Sequence, residues 1–317
     1  MALPEGPGGC LALENALPIA PAGFRLFNVR VHRKAALSPS LIRITFFGDD
    51  VAHMRVGGPD QSIRILFPDP FGRAPDLPAG PDWLDAWRAL PAQGRPPQRL
   101  FTLRALRRRS CEFDVDFHSP AELGPASTWA RTASRGEALQ VVAPARSRER
   151  DCGGYEWRPP RAPERLLLMA DQSALPALTA ILETLAVRAA PPPTEVFIEG
   201  PEGADRLELP SWRQQRVKWM ARNGAPHGAR LMESASCATL PPASAAVSVP
   251  APEVDVDRTV LWERAARRDS GFYAWVAGEA GAVKEVRRVL VERGLDRCAL
   301  TALGYWRRGR VLDPARA

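Results

Sequence analysis

Cysteine is scarce in this 317-residue chain, and its distribution excludes two kinds of site. The five cysteines are odd in number and widely spaced, and no two of them form a CxxC pair: Cys10, Cys111, Cys152, Cys237 and Cys298. Such spacing argues against a disulfide framework and against a zinc site. We therefore expect a protein of the reducing cytoplasm that carries no structural metal.

Long apolar runs are missing as well. The longest, such as residues 165–170, stop far short of the roughly 20 residues that a helix needs to cross a bilayer. The first residues carry no basic segment, and prolines and Glu14 interrupt the weak apolar stretch 11–22. This N-terminus does not resemble a signal peptide. The sequence predicts a soluble protein without a membrane partner.

Lysine is rare: only Lys34, Lys218 and Lys284 are lysines among the 43 Lys and Arg residues. The net charge is +7. Arginine in place of lysine, together with 32 prolines, is typical of a G+C-rich coding background, so basicity alone is weak evidence for nucleic acid. The basic residues form no stripe with interleaved aromatic residues beyond 104–109, which fits a nucleic-acid binder poorly. The first 150 residues are modestly more cationic, which suits an anionic ligand there.

The N-terminal half alternates apolar and polar residues with a period of two. This pattern predicts strands, separated by turn residues, at 24–32, 41–47, 61–67, 99–104, 111–117 and 139–142. Strands at this spacing favour an antiparallel sheet or small barrel, which the last strand would close. The stretch 68–98, rich in proline and glycine, is predicted to be an insertion with a helical turn or two at 83–90.

The C-terminal half changes its period. Strands are predicted at 165–170, 195–198, 217–220, 271–277 and 298–303, and helices at 173–188, 280–293 and near 260–267. A strand, helix, strand unit of this length implies a parallel pair of strands. Residues 223–257 show little pattern.

These patterns divide the chain into a flexible tail at 1–20, an antiparallel β-barrel domain at 21–150, a linker at 151–163 and an α/β domain with a parallel sheet at 164–317. A barrel followed by an open α/β domain is the layout of the two-domain reductases that use flavin and nicotinamide. Layout alone is an analogy, so the functional hypothesis depends on individual residues.

The strand at 99–104 places a cation beside an aromatic ring. Arg99 and Phe101 point to one face of the strand, and Leu100 and Thr102 point to the other. The first pair could hold a flavin diphosphate and cover its isoalloxazine ring, with Thr102 hydrogen-bonded to the flavin edge. The competing interpretation is an ordinary strand with a surface arginine and a core phenylalanine.

The next strand ends at residues 118–119 and is followed by a Gly-Pro turn at 124–125. A short helix begins there, and its free N–H groups and positive dipole end suit a phosphate, with the Ser127 hydroxyl nearby. The competing interpretation is a capped helix with Trp129 in the core and a structural His118.

Two turns in the second half could face a ligand. Asp171 or Ser173 would be the N-cap of a helix, at the position where α/β domains bind ligands, although this turn has no GxGxxG fingerprint. Gly278 and Glu279 form the second turn. The aromatic and arginine cluster at 304–309 could lie against a planar cofactor, and simple packing is its competing interpretation.

In order and spacing, these motifs resemble those of the siderophore-interacting proteins, the FAD-dependent ferric-siderophore reductases. The resemblance runs over about 24–309 and rests on six motifs, at 99–104, 118, 124–130, 171–177, 275–279 and 304–307. The chain departs from the family at Phe101, where tyrosine is usual, and at Ser119, where glycine is usual. Residues 172–173 are Gln and Ser instead of an acidic residue and threonine.

The resemblance implies that NADPH or NADH delivers a hydride to FAD, and that the reduced flavin passes single electrons to the ferric iron of a siderophore. No catalytic side chain is implied, because the flavin carries the electron transfer. The implied cofactor-binding residues are Arg99, Phe101, Thr102, His118, Ser119, Gly124, Pro125, Ala126, Ser127, Trp129, Asp171, Ser173, Ala174, Pro176, Gly278, Glu279, Tyr305 and Trp306. The candidate contacts to the anionic chelate are Lys218, Arg222 and Arg307.

Two other functions fit the same residues. One is a flavin-containing reductase of another acceptor, such as a quinone, free flavin or a redox protein. The other is a non-catalytic flavin or siderophore carrier of the same fold, for which the altered turn at 171–173 is the only support.

Overall fold

Seven antiparallel strands of the N-terminal half form one curved sheet in the structure, a computed structural model that describes residues 23–69, 71–119, 124–146, 151–242, 254–266 and 271–309. The strands are β1 (Phe24–Ser38), β2 (Leu41–Phe47), β3 (Ser62–Leu66), β4 (Gln98–Thr102), β5 (Ala105–Arg107), β6 (Glu112–His118) and β7 (Ala138–Pro144). Their order across the sheet is β4-β3-β7-β1-β2-β6-β5. The six predicted strands are confirmed, and β5 is too short for its alternation to be visible in the sequence.

The sheet curls into a half-barrel because its two edge strands are successive parts of one segment. The Leu103 N–H donates to the Gln61 carbonyl beside β3 at 2.7 Å, and the Arg104 N–H donates to the Asp114 carbonyl of β6 at 2.9 Å. The segment therefore crosses from one side of the sheet to the other. β7 pairs with both β1 and β3 and so lies within the sheet, whereas the sequence pattern predicted that it would close a barrel.

Two apolar clusters cover the faces of this sheet. The inner face buries rings and aliphatic side chains such as Phe27, Phe46 and Phe113, against which helix α2 (Pro125–Thr132) packs. The predicted helical turn of the insertion is α1 (Trp83–Ala89), and its Trp83 and Trp87 cover a second cluster. Burial of these large side chains holds the insertion against the sheet.

The C-terminal half forms a six-stranded mixed sheet with helices on both faces. Its elements are β8 (Arg165–Asp171), α3 (Leu175–Ala186), β9 (Thr194–Gly200), β10 (Gln215–Ala221), α4 (Ala229–Cys237), β11 (Trp262–Glu263), β12 (Phe272–Glu279), α5 (Ala280–Glu292) and β13 (Leu300–Trp306). The order is β10-β9-β8-β12-β13-β11, and all neighbours are parallel except β11 with β13.

Alternation along β8 explains the two layers of helices. Leu166 and Leu168 pack with α3 on one face, whereas Leu167 and Met169 pack with α4 and α5 on the other. Successive side chains of a strand point to opposite faces, so a fully apolar strand needs cover on both.

One prediction for this half is wrong, and one helix lies where the sequence shows little pattern. The helix expected near 260–267 is absent from its described part, where β11 pairs with β13 through Trp262 and Leu303. The segment without pattern contains helix α4, whose few buried side chains include Leu231 and Ala235. At β11 the pairing with β13 overrides the local pattern. At α4 the interface is small and consists mostly of Ala and Ser, so the sequence shows no clear apolar period.

The two sheets meet through apolar and polar contacts, and Leu37, Leu41 and Leu100 of the first sheet pack against the apolar core of the second. Asp205 accepts hydrogen bonds from the Ser38 hydroxyl and the Ser40 N–H, each at 2.8 Å. Arg104 donates to both carboxylate oxygens of Glu183 on α3, at 2.9 and 2.5 Å. These contacts fix the groove that lies between the sheets. The predicted division of the chain into domains stays a prediction, with residues 151–163 running between the two sheets.

The helices of both halves are short. Within the described part of the chain, no helix is long and apolar enough to cross a membrane.

Candidate cofactor-binding cleft

A cleft of about 1170 Å³ separates the half-barrel from the carboxyl edge of the mixed sheet. Most of the residues predicted to bind cofactor or substrate line it: Arg99, Phe101, Thr102, His118, Ser119, Gly124, Ala126, Ser127, Ser173, Pro176, Arg222, Tyr305, Trp306 and Arg307. Ligand pockets usually measure about 300–1000 Å³, so this cleft is large enough for a dinucleotide together with part of a second ligand.

Phe101 on β4 faces the barrel core and the cleft at the same time. Its ring lies 4.6 Å from the ring of Phe117 and 6.1 Å from that of Phe67, between centroids, and the side chain is half-buried. The neighbouring Leu100 packs against the core of the mixed sheet instead. The two interpretations of Phe101 are therefore compatible, because one side of the ring is core and the other lines the cleft.

The remaining residues of β4 add polar groups to the same wall. Arg99 is half-buried and donates from Nη1 to the carbonyl of Gln98 at 2.7 Å, while Thr102 is nearly buried. The Gln98 side chain accepts from Arg64 at 3.1 Å, and its own Nε2 is buried without a partner among the described residues. Polar atoms left unpaired in a cleft are suited to a polar ligand.

His118 supplies a second unpaired group at the end of β6. Its Nε2 is buried and has no partner among the described residues. Burial lowers the pKa of His118 to about 4, with a smaller contribution from the positive charge of Arg222. The imidazole is consequently neutral at neutral pH and can offer one nitrogen to a ligand.

The N-terminus of α2 opens onto the cleft close to His118. Gly124 is its N-cap without a side-chain cap, proline occupies the first turn, and no acidic residue lies in that turn. The Ser127 hydroxyl donates to the His118 carbonyl at 2.9 Å and ties the helix to the strand. The first N–H groups of a helix have no intrahelical acceptor, so this end can bind a phosphate.

Trp129, on the same helix, does not line the cleft. It lies in the barrel core, 6.2 Å from the ring of Phe46 and nearly parallel to it, and its Nε1 donates to Glu137 at 2.5 Å. The core interpretation of this tryptophan is therefore the one that the structure shows.

Asp171 is buried and connects three strand ends of the mixed sheet. One carboxylate oxygen accepts from the N–H and hydroxyl of Ser173, at 2.8 and 2.5 Å, and from the N–H of Ala174 at 3.3 Å. The other accepts from the Glu279 N–H at 2.9 Å and from Nε1 of Trp306 at 3.0 Å. Asp171 acts on the cleft through these neighbours and does not line it.

The predicted N-cap of α3 is wrong, because the N-cap is Ala174 and neither Asp171 nor Ser173. Pro176 in the first turn fixes the helical conformation from Leu175 onward. Asp171 still satisfies the N–H of Ala174 from outside the helix. The carboxylate thus performs part of the capping role from three residues upstream.

Glu279 is likewise buried and pairs within the protein. It accepts from the Ala282 N–H at 2.8 Å, from Nη1 of Arg307 at 2.8 Å and from the Arg308 N–H at 3.1 Å. Burial raises the pKa of Glu279, but the hydrogen bonds from Arg307 and Ala282 outweigh it and lower the pKa overall. Arg307 also donates to Asp257 at 2.9 Å, so its charge is already shared between two carboxylates.

The three predicted substrate cations have different positions. Lys218 is exposed on the edge strand β10 and lies outside the cleft. Arg222 lines the cleft, where its Nη1 donates to Nδ1 of His227 at 2.9 Å and lies 3.6 Å from Glu199. Arg307 lines the cleft with the two carboxylate partners described above.

The aromatic pair near the C-terminus forms one wall. Tyr305 stacks on Trp262 at 5.8 Å, and Trp306 meets the ring of His227 edge-on at 4.9 Å, both between centroids. Because Asp171 holds the indole N–H, the orientation of Trp306 is set by the sheet beneath it.

Sequence reasoning missed several lining residues. Arg64 on β3 is buried in the cleft wall, and its signal was an arginine between two isoleucines on the polar face of a strand. His227 lies in the segment without pattern, where no signal was available. Asp60 lines the cleft too. Burial raises its pKa to about 6, although the hydrogen bonds that it accepts from the N–H groups of Glu156 and Trp157 act to lower it.

Comparisons with known proteins point to one family. A model described as a siderophore-interacting FAD-binding domain matches residues 30–148, and one described as a siderophore-interacting protein matches residues 163–309. A protein of Mycobacterium tuberculosis without an assigned function is 30% identical over 297 residues, covering 92% of this chain and 93% of that protein. The ferric vibriobactin reductase ViuB of Vibrio cholerae is 28% identical and covers 88% of each chain.

Solved structures share the fold. The siderophore-interacting protein SipS of Aeromonas hydrophila is 28% identical with a TM-score of 0.63, and the match covers 90% of this chain and 93% of that one. A ferredoxin reductase of a carbazole 1,9a-dioxygenase shares the fold at a TM-score of 0.56 and 12% identity, over 89% of this chain and 70% of that one. The two sheets together are therefore a flavin reductase-like two-domain fold.

Proposed function

Because the chain belongs to the siderophore-interacting protein family, we propose that it is a cytoplasmic, FAD-dependent reductase of ferric siderophores that draws electrons from NADPH or NADH. The observation that carries this proposal is the cleft itself. One wall of the cleft has an aromatic ring and an uncapped helix N-terminus, and the opposite wall is the carboxyl edge of a mostly parallel sheet. Such edges are where α/β sheets bind ligands.

The half-barrel fits FAD. Arg99 and the N-terminus of α2 would hold the diphosphate, and Phe101 would cover the isoalloxazine ring, with Thr102 at its edge. The unpaired His118 Nε2 would receive a hydrogen bond from, or donate one to, the cofactor. We assign the FAD-binding domain to 21–150 and the NAD(P)H-binding domain to 164–317.

Bound flavin supplies the conversion of a two-electron donor into one-electron steps, which side chains cannot perform. Each hydride carries two electrons, so it serves two ferric ions. Fe(III) is held tightly by the hard oxygen donors of an anionic chelate, whereas Fe(II) has a lower charge and is released. The names of the relatives ViuB and SipS support this substrate class.

The protein would orient the ligands and attract the chelate. Arg222 is the proposed contact, and Arg307 contributes at the mouth of the cleft while it keeps its two carboxylate partners. Lys218 is not part of this proposal because it lies outside the cleft. The thiols of Cys111, Cys152 and Cys237 are free, which fits a reducing compartment.

One experiment tests the proposal. Anaerobic addition of NADPH or NADH should bleach the flavin absorbance of the purified holoprotein, and a ferric siderophore should restore it with release of Fe(II). Bleaching that only a quinone or a redox protein reverses would point to another acceptor. A flavin that neither nucleotide bleaches would point to a carrier.

A further inference from the structure

Three helices of the mixed sheet begin at the carboxyl edge of the sheet, and a buried carboxylate of the chain accepts N–H groups at or just before each N-terminus. For α3 the carboxylate is Asp171, which accepts from the N–H groups of Ser173 and Ala174 at 2.8 and 3.3 Å. For α5 it is Glu279, which accepts from the Ala282 N–H at 2.8 Å. Only 2% of Asp171 and 4% of Glu279 is exposed.

The third terminus, that of α4, is filled most completely. Glu199 at the end of β9 is fully buried, and one of its oxygens accepts from the Gly228 N–H at 2.8 Å. Its other oxygen accepts from the N–H groups of Arg230 and Leu231 at 3.0 and 3.4 Å. A carboxylate in this position makes the same contacts that a bound phosphate oxygen would make.

The main cations of this edge already have partners within the protein, and the proposed function assigns both of them to the chelate. Arg222 donates to His227 and lies 3.6 Å from Glu199, and Arg307 lies between Asp257 and Glu279. Arg308 lines the cleft as an exposed side chain at its rim. An exposed ion pair changes affinity only a few-fold, whereas buried charge-assisted contacts change it by tenfold or more each.

The barrel wall of the cleft is different. Helix α2 begins at Pro125, its N-cap Gly124 provides no side-chain cap, and its first turn has no acidic residue. The cleft therefore offers an uncapped helix terminus to the diphosphate of the flavin, whereas each of the three termini on the donor side already has a buried carboxylate beside it.

We propose that this chain recognises its electron donor through the nicotinamide and its ribose, and that the diphosphate and adenylate contribute little. This inference rests on the proposed function, and it names the substrate class as reduced nicotinamide nucleotides in general. Reduced nicotinamide mononucleotide is then a donor nearly as good as NADH or NADPH. Its C4–H bond breaks, the hydride passes to the flavin with both electrons, and the nicotinamide becomes the positively charged pyridinium.

The first test compares three donors on the FAD-loaded protein. Stopped-flow bleaching of the flavin should give second-order rate constants for reduced nicotinamide mononucleotide, NADH and NADPH that agree within tenfold, after subtraction of the rate with free FAD. A preference above tenfold for either dinucleotide would overturn the inference and leave the proposed function standing. Failure of all three donors would instead contradict the proposed function.

Binding without turnover provides a second readout. Oxidised nicotinamide mononucleotide and NAD⁺ should raise the melting temperature of the FAD-loaded protein to a similar extent, whereas ADP at the same concentration should leave it unchanged. A shift with ADP that matches the shift with NAD⁺ would show that the diphosphate is the recognised part, against the inference.

A variant pair tests the carboxylate at α4. Glu199→Gln removes the internal negative charge, and Glu233→Gln makes the same change at an exposed position of the same helix. We expect the rate ratio of NADH to the mononucleotide to rise at least threefold in the first variant and to stay unchanged in the second. An unchanged ratio in a folded Glu199→Gln protein would overturn the role given to Glu199. If that variant does not fold, the comparison of donors on the native chain decides the inference alone.

Discussion

Gly278 lies where a Cβ atom would stand 2.7 Å from the carboxyl carbon of Asp171, in a backbone conformation with φ of +155°. Only glycine adopts such a conformation readily. The close approach lets the Glu279 N–H reach the Asp171 carboxylate at 2.9 Å, so the junction of β12 and α5 depends on it.

We expect Gly278→Ala to lower stability by about 2 kcal/mol or more, through backbone strain and through the clash with Asp171. Gly80→Ala is the matched control, because Gly80 has a φ of +136° and a Cβ placed on it would meet no atom within 4 Å. Thermal unfolding of both variants separates strain from clash. Equal losses would mean that the contact with Asp171 contributes nothing.

Arg99→Ala should weaken FAD binding tenfold or more, because a charge-assisted contact to phosphate contributes about 1.5–3 kcal/mol. Arg108→Ala is the control, since Arg108 is exposed in the turn after β5. Flavin content and the dissociation constant of the reconstituted protein measure the difference. The same flavin occupancy in both variants would place the diphosphate elsewhere.

Phe101 should affect both the apoprotein and the flavin complex, because its ring contacts Phe117 and also lines the cleft. Phe101→Tyr should keep the FAD-induced rise in melting temperature, since the aromatic face remains and the hydroxyl can reach the open cleft. Phe101→Ala should lower the apoprotein melting temperature and also reduce that rise, with a loss of a few kcal/mol in all. A full FAD-induced rise in the alanine variant would show that the ring does not cover the flavin.

The buried pair of Arg287 and Glu263 should hold β11 against α5. Arg287 donates to both oxygens of Glu263, each at 2.8 Å, and both side chains are nearly inaccessible. Arg287→Ala would leave a buried carboxylate short of its main partner, and we expect a loss of about 3 kcal/mol. Arg288→Ala, one position along and exposed, should change stability little. Urea unfolding of the two variants measures the contrast.

His118 should make the apoprotein sensitive to acid. Its pKa in the folded protein is about 4, below the ordinary value of 6.5, so the unfolded chain binds the proton more readily between these values. The contribution of the neutral imidazole is therefore fully present above pH 6.5 and is lost as the pH falls toward 4. Asp60, with a pKa raised to about 6, acts in the opposite direction in the same window.

A comparison of native protein with His118→Asn isolates the histidine. The melting temperature of the native apoprotein should fall more steeply between pH 6.5 and 4 than that of the variant. Parallel curves would falsify the assignment of a buried, neutral His118.

The sequence anticipated the strands best where one face of a sheet is buried. The alternation of 111–117 corresponds to β6 (Glu112–His118), because its apolar residues Phe113, Val115 and Phe117 all enter one core. Local pattern failed at β11, whose two residues owe their conformation to pairing with β13. A pattern of two residues carries no period, so only the tertiary contact specifies this strand.

The sequence predicted which motifs lie at the candidate site better than it predicted what each residue does there. Motifs on β4, α2 and β13 converge on one cleft, as their resemblance to the family implied. Asp171 and Glu279, predicted as cofactor contacts, are engaged with backbone N–H groups of their own domain. Spacing along a chain shows that a carboxylate lies near a turn, but it does not show which donors reach the carboxylate first.

The position of Lys218 has a consequence for how copies of this protein meet one another. Strand β10 ends the mixed sheet, and Arg216 and Lys218 flank the exposed Val217 on it. Unpaired edge strands invite the addition of a strand from a second molecule, and positive charges along the edge oppose it by repulsion. We therefore expect Arg216 and Lys218 to oppose self-association, and neutral residues at both positions to make the protein more prone to aggregate at high concentration.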